Sequence, residues 1–431
     1  MEPSPWEWVR QGRAANRVAE VRESGFGFAE AALGGCLRSA SDSCNCSLDR
    51  TSKPVVPHSA MMCGFCAGPS TDALRAAYRI RTMNTLLLHC RPGFENEVCA
   101  EISDQASRLD VAGYAKAKAD SACAEFICHD AAGAERLMRG TRFSRLIFPR
   151  QWAAGEWLQL PETDRIGVLL DRLEALPVFG SLWLEVLDTN DGKELSNFCR
   201  KFEGPLRKAL EKGGRLKETG SGPRLLLTFK SGREVFVGFA DQSNSAMWPM
   251  GIPRLKFPRQ APSRSTLKLE EAWHHFIPRD QWDERLAPGM TAVDLGASPG
   301  GWTWQLVNRD IEVMAVDNGP MNETLLESGL VGHYRADGFT FRPKQQVNWM
   351  VCDIVEKPAK NAALLETWIG EGLCREAVVN LKLPMKQRYA EVKRLLERIA
   401  DGLAERGVKA TIGCKQLYHD REEVTCHLRR L

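Results

Sequence analysis

Ala287-Pro-Gly-Met-Thr-Ala-Val-Asp-Leu-Gly-Ala-Ser-Pro-Gly-Gly301, followed by Trp302-Thr-Trp-Gln-Leu-Val307, is the stretch whose reading decides the fold. Thr291 to Leu295 is a short apolar run entered from a Pro-Gly turn, which predicts a buried strand. Gly296 to Gly301 contains three glycines and a proline and must be a tight loop. From Trp302 the apolar spacing becomes helical. Strand, Gly-rich loop and helix in this order make the ligand-binding corner of an open α/β sheet. A backbone without Cβ atoms lets a ligand approach, and the helix start offers free N–H groups. No Gly-Lys-Ser/Thr follows, so this is not a phosphate-binding P-loop, and the dinucleotide pattern Gly-x-Gly-x-x-Gly is absent from it.

Further strands follow downstream. Glu312 to Asp317 reads as the second, and an acid about 20 residues past the loop can bind both ribose hydroxyls of an adenosine cofactor. Tyr334-Arg-Ala-Asp337 suits the next strand end, and Trp349-Met-Val-Cys-Asp353 is a fourth strand with an acid at its C-terminus. Val378-Val-Asn-Leu-Lys382 is a fifth, and a lysine on an apolar strand end is costly without partners, which points to function. Tyr389 to Arg406 reads as an amphipathic helix. Lys409 to Tyr418 and Val424 to Arg430 are strands joined by so short a loop that they must be antiparallel. Upstream, Ser265 and Thr266 open a helix with Leu269, Ala272, Trp273 and Phe276 on its apolar face and Lys268 just before them.

Asp294-Leu-Gly-x-x-Pro-Gly-Gly-Trp302 resembles the S-adenosylmethionine loop of ribose 2′-O-methyltransferases. A parallel sheet finished by an antiparallel hairpin is similar to their class I, Rossmann-like architecture. Lys268, Asp353, Lys382 and Glu422 match the Lys-Asp-Lys-Glu tetrad of the FtsJ-like members, with Glu423 as the alternative last acid. The resemblance implies S-adenosyl-L-methionine as cofactor, held by Ser265, Asp294, Gly296, Ser298, Pro299, Gly300, Gly301, Asp317, Asp337 and Asp353, with Asp337 at the adenine amino group. Ser298 departs from the family, which can carry Cys there, but a loop working mainly through its backbone tolerates the change. Cys90-Arg-Pro-Gly-Phe-Glu, Arg254-Leu-Lys-Phe-Pro, Asp317-Asn-Gly-Pro-Met, Val355-Glu-Lys-Pro-Ala-Lys and Tyr418-His-Asp-Arg-Glu-Glu-Val-Thr narrow the likeness to the bacterial enzymes that methylate a cytidine ribose in 23S rRNA. It runs from Met83 to the C-terminus. It implies 23S rRNA as partner, free or in a large-subunit precursor, in a chain whose cysteine usage is read as cytoplasmic and without a metal. A cofactor-binding protein without catalysis, and a methyltransferase acting on tRNA or a messenger cap, are the alternatives.

The N-terminal half fits the same picture. From Met83 the order strand, helix, strand, strand, helix, strand (the last at Arg145 to Trp152) is that of a ferredoxin-like unit over 83–160. Residues 161–250 form a second α+β unit whose placement resembles a THUMP RNA-binding domain. Its long helix, Lys193 to Lys212, carries Arg200, Lys201, Arg207 and Lys208 opposite its apolar face, as a solvated face or as phosphate contacts. The Pro-rich, basic segment 251–264 is a linker, either a tether or an RNA guide, into a methyltransferase domain at 265–431. Residues 1–82, rich in Ala, Ser, Gly and Arg without sustained period, read as a disordered extension. The spacing of Cys44, Cys46, Cys63 and Cys66 is poor for zinc, because Cys-Asn-Cys is too tight. Fourteen scattered cysteines in 431 residues suggest reduced thiols. No secretory leader or apolar run of about 18 residues is evident. The net charge of +3 neither demands nor excludes nucleic acid.

Overall fold

The computed structural model describes residues 84–217 and 222–431. The expected extension, with Cys44, Cys46, Cys63 and Cys66, lies outside them. Two seven-stranded sheets carry the described residues.

The first sheet begins with β1 (Thr85–His89), α1 (Glu95–Arg108), β2 (Gly113–Ala117), β3 (Cys123–Cys128), α2 (Gly133–Gly140) and β4 (Gln151–Gln159). Here β1 lies between β3 and β4, antiparallel to both, the ferredoxin-like order. The strand expected at Arg145–Trp152 starts only at Gln151. Its intended first half is used otherwise. Ile147 and Phe148 donate their N–H groups to the buried carboxylate of Glu101 at 2.6 and 2.9 Å, and Pro149 has no N–H to give to a ladder.

The chain continues through α3 (Arg165–Leu173), β5 (Ser181–Val186), α4 (Asn190–Lys212), β6 (Arg224–Phe229) and β7 (Glu234–Ala240). Helix α4 starts earlier than the expected Lys193, because Thr189 Oγ1 accepts the Gly192 N–H at 3.0 Å and caps it. Its Leu206 and Leu210 are fully buried. Antiparallel pairing of β4 with β7, from Ala154↔Phe239 to Gln159↔Glu234, joins this unit to the ferredoxin-like one in a single sheet, ordered β2-β3-β1-β4-β7-β6-β5.

The second sheet is built from α5 (Thr266–Phe276), α6 (Trp282–Arg285), β8 (Thr291–Leu295), α7 (Gly301–Val307), β9 (Glu312–Val316), α8 (Glu323–Glu327), β10 (Val331–Tyr334), β11 (Val347–Cys352), α9 (Pro358–Gly370), β12 (Cys374–Lys382), α10 (Arg388–Glu405), β13 (Ala410–Lys415) and β14 (Glu423–Arg430). Its order is β10-β9-β8-β11-β12-β14-β13. The first five strands are parallel, and β14 inserts antiparallel between β12 and β13. The apolar runs of β8, β11 and β12 are buried on both faces because helices cover both, as a parallel sheet requires. Strand order reverses at β8, so a crevice opens beyond the C-terminal ends of β8, β9 and β11.

The C-terminal end of the edge strand β13 is fastened to the first sheet. Gln416 N donates to Ile147 O at 2.8 Å, and the buried ammonium of Lys415 donates to Leu146 O and Pro149 O at 2.9 and 2.6 Å. Helix α10 meets α1 through Tyr389 Oη to Asp104 at 2.7 Å and Lys393 to Asp104 at 3.0 Å. Among the described residues no helix is long and apolar enough to cross a membrane.

Candidate active site

The loop after β8 is shaped by its glycines. Gly296 and Gly300 have φ of +76° and +115°, which side-chain-bearing residues rarely adopt. A Cβ on Gly296 would come within 2.5 Å of Ile354 Cγ1, and one on Gly300 would collide with Leu325. A Cβ on Gly301 would strike Ser265 and come within 2.5 Å of Ser263 Oγ, so the start of α7 packs directly on the entry to α5. Trp302 Nε1 donates to Ser265 O at 2.9 Å and fastens the same junction.

The loop borders a cavity of about 390 Å³ whose walls include Gly296, Asp317, Asp337, Phe339, Asp353 and Val355. That volume falls in the range of small-molecule sites. Asp317 directly follows β9 and accepts from Ser298 N at 3.1 Å and Gly319 N at 2.7 Å, so its carboxylate is held at the cavity by backbone donors. Asp337 accepts from Phe339 N at 2.9 Å. Of the residues expected to hold the cofactor, Gly296, Asp317, Asp337 and Asp353 line this cavity. Ser265, Ser298, Pro299, Gly300 and Gly301 shape the loop and the α5–α7 junction around it. Asp294 does not reach the cavity wall. It is 2 % exposed, takes a 2.6 Å hydrogen bond from Thr303 Oγ1, and burial pushes its carboxyl up to about 7. It ties β8 to the first turn of α7 from beneath the loop.

Beside the cavity, and joined to it through Asp353, the strand register assembles four charged side chains. Asp353 directly follows β11, Lys382 ends β12, and Glu423 opens β14 opposite Lys382. Lys268 arrives from α5, seated by its buried neighbours Leu267 and Leu269. Lys268 Nζ lies 3.1 Å from Asp353 Oδ2 and 2.5 Å from Glu423 Oε1. Lys382 Nζ lies 3.6 Å from Asp353 Oδ1 and contacts Glu423 Oε2. Two acids and two lysines thus alternate around one centre.

The last acid corrects the sequence expectation. Glu422 stands outside the group, with its side chain 60 % exposed and paired with Arg388 at 2.6 Å. Glu423, whose side chain is 4 % exposed, takes its place, because it is the residue in register with Lys382. Burial lowers the pKa of Lys382, Asp353 opposes that shift, and the positive charge of Lys268 adds to it.

Several residues around the tetrad were not expected. Asn380 Nδ2 donates to Asp353 Oδ1 at 2.8 Å, and Thr425 Oγ1 donates to Asn380 Oδ1 at 2.7 Å. Asp420 lies behind Thr425. Glu271 accepts from Tyr418 N and His419 N at 2.7 and 2.9 Å and shapes the loop that carries Asp420. Arg91, from the ferredoxin-like unit, donates through Nη1 to Asp420 O at 2.7 Å. The signal for Asn380 and Thr425 was a polar residue inside an apolar strand, which is costly to bury without a partner. Arg254, Lys256, Arg259 and Arg264, on the segment leading into α5, are all exposed. Arg200, Lys201 and Lys208 on α4 are exposed as well, whereas Arg207 pairs with Glu203 at 2.7 Å. No cluster of metal-ligating side chains occurs among the described residues.

Comparison with known proteins agrees with this geometry. Residues 83–153 match the RlmM ferredoxin-like domain, 164–241 the N-terminal domain of ribosomal RNA large subunit methyltransferase M, and 261–380 the FtsJ-like methyltransferase. The ribosomal RNA large subunit methyltransferase M of Stutzerimonas stutzeri (strain A1501) is 83% identical over 349 residues, covering 81% of this chain and 100% of the relative. Those of Ectopseudomonas mendocina (strain ymp) and Pseudomonas syringae pv. syringae (strain B728a) are 77% and 76% identical, with 81% of this chain and 99% and 98% of the relatives covered. The glycine-shaped loop, the cavity and its acids suit S-adenosylmethionine, the cofactor of FtsJ-like enzymes. The chain belongs to the ribosomal RNA large subunit methyltransferase M family, and its C-terminal sheet is an FtsJ-like, S-adenosylmethionine-dependent methyltransferase domain.

Proposed function

We propose that this chain methylates the ribose 2′-hydroxyl of a cytidine in the peptidyl-transferase region of 23S rRNA, in the cytoplasm. The relatives are named for large-subunit rRNA. The observation that carries the reading is the alternating cluster Lys268, Asp353, Lys382 and Glu423 beside the cofactor cavity. Asp353 belongs to both, so an acceptor held by the cluster is presented to the cofactor side.

Bound S-adenosylmethionine supplies a methyl group activated by its sulfonium. The protein's task is alignment of the hydroxyl and removal of its proton. Lys382 accepts that proton at Nζ. Desolvation and the second ammonium of Lys268 favour its neutral amine. Asp353 and Glu423 hold both lysines in place. The exposed basic residues of the 254–264 segment run directly into α5 and suit an RNA backbone approaching Lys268. A splayed, single-stranded ribose fits such a recessed site better than a paired one.

The test is labelled methyl transfer into deproteinised 23S rRNA from cells lacking the modification, followed by nucleoside mass spectrometry. 2′-O-methylcytidine is the expected product. Incorporation confined to tRNA, or a base-methylated product, overturns the proposal.

A further inference from the structure

Behind Asp353 stands a line of buried polar side chains. Asn380, Thr425 and Asp420 are each 0 % exposed. Asn380 Nδ2 is 2.8 Å from Asp353 Oδ1, and Asn380 Oδ1 is 2.7 Å from Thr425 Oγ1. Thr425 Oγ1 in turn lies 3.0 and 3.2 Å from the two carboxyl oxygens of Asp420. Asp420 Oδ2 accepts the Leu417 N–H at 2.9 Å.

Counting protons fixes the direction of this line. The Asp353 carboxylate offers only acceptors, so Asn380 must turn its NH₂ toward it. That leaves the Asn380 carbonyl facing Thr425, which must spend its single proton there. Thr425 then has none for Asp420, whose Oδ1 lies 3.2 Å from Thr425 Oγ1, and two buried oxygens that close with no proton between them repel. Asp420 must therefore bring the proton. Its Oδ2 is engaged by Leu417, so Oδ1 is the donor. Burial, reinforced by the nearby Glu271, pushes the Asp420 carboxyl up to about 8 against the opposing Leu417 N–H, Lys268 charge and Thr425 hydroxyl. That is consistent with the geometric count. A protonated Asp420 also removes an anion that would otherwise help keep Lys382 charged.

We propose that Asp420, Thr425 and Asn380 form a one-way hydrogen-bond relay that fixes the Asp353 carboxylate where Lys268 and Lys382 meet it, making them positioning residues for methyl transfer. The relay rests on the reading of the cluster as a methyl-transfer site. Its far end is anchored from the other sheet, because Arg91 Nη1 donates to the backbone oxygens of Asp420 and Tyr418 at 2.7 and 3.3 Å.

The test uses the full chain with 23S rRNA as acceptor. It measures kcat, KM, cofactor affinity by calorimetry and thermal melting. Thr425→Val removes the hydroxyl at nearly constant volume. It should lower kcat about 100-fold while KM and cofactor affinity stay within about threefold, because misplacement at the reacting centre is felt in the transition state. Thr425→Ser restores the hydroxyl and should restore most of the rate. Asp420→Asn keeps a neutral donor and should stay far closer to wild type than Asp420→Ala. Thr425→Val at the wild-type rate overturns the relay. Should the valine variant fold poorly, the Asp420 pair decides: Asn well above Ala supports the relay, and equal damage overturns its direction. A wild-type chain that transfers no methyl to 23S rRNA removes the functional reading itself. An active wild type with an unimpaired Thr425→Val removes only the relay.

Discussion

Replacing Glu423 by glutamine should abolish methyl transfer and lower the melting temperature, while Glu422→Gln should change neither appreciably. The two acids are adjacent, yet their surroundings differ. Glu423 is 4 % exposed and touches both lysines of the cluster. Its loss leaves Lys268 and Lys382 sharing Asp353 alone. Removing one member of a buried ion pair typically costs about 3–5 kcal/mol. The lysine side chains here keep 15 % and 26 % exposure, so water or proton release relieves part of the strain, and we take about 3 kcal/mol, the low end of that range. For a domain of this size that is a fall of roughly 6–12 °C in Tm. The paired acid at Glu422 is 60 % exposed, and an exposed pair contributes about 0–1 kcal/mol. Scanning calorimetry and single-turnover methyl transfer on both variants form the assay. An inactive Glu422→Gln beside an active Glu423→Gln would refute the register argument, since only the pairing of Lys382 with Glu423 separates the two acids.

Lys382→Ala should reduce kcat by about 100-fold or more while cofactor binding by calorimetry stays intact, because Lys382 lies outside the cofactor cavity. With Lys382 as base, the neutral amine is the active form, so the rate should rise with pH and level off below the ordinary lysine value of 10.5; a pH-independent single-turnover rate contradicts that role. Gly300→Ala should weaken cofactor binding at least about tenfold by calorimetry, because φ is +115° and the new methyl meets Leu325. Asp420, Asp294 and Glu185, raised by burial to about 8, 7 and 7, bind protons in the folded chain that the unfolded chain releases. Their contribution is full below the unfolded values near 4 and is lost as pH rises through 7 to 8, so Tm should decline over that window, with a shallower decline in Asp420→Asn.

The catalytic corner was legible because its physics is local. A strand, three glycines and a helix in sequence can make only a few shapes, and a charge at the end of an apolar strand stands out against its cost. Asp353 and Lys382 stood out in that way, Lys268 on its helix was named only through the resemblance to the FtsJ-like tetrad, and the structure brings the three together. Glu422 and Glu423 could not be separated, because register is set by pairing across β12 and β14, and a slip of one residue turns every side chain to the other face. The same limit hid the junction of the first sheet. The strand expected at Arg145–Trp152 overlaps β4 only at Gln151 and Trp152, and nothing local to β4 or β7 says that they pair. The strand expected at Arg145 failed for a different reason: Glu101, far back in the chain, claims the N–H groups of Ile147 and Phe148.

That last exchange explains how the two sheets are made dependent on each other. Glu101 bends the Ile147–Arg150 segment out of β4, and the freed carbonyls of Leu146, Ile147 and Pro149 become acceptors for Lys415 and Gln416. The C-terminal end of the edge strand β13 is thereby tied to the first sheet. Lys415 is 3 % exposed and could not be buried without those carbonyls. Beyond Gln416 the chain turns through Leu417 and Asp420 into β14, where Glu423 and Thr425 complete the site. Arg91 grips this turn from the end of β1. The ferredoxin-like unit therefore fixes the start of the strand that delivers Glu423 to the charged cluster, and it need not touch an acceptor to shape that cluster.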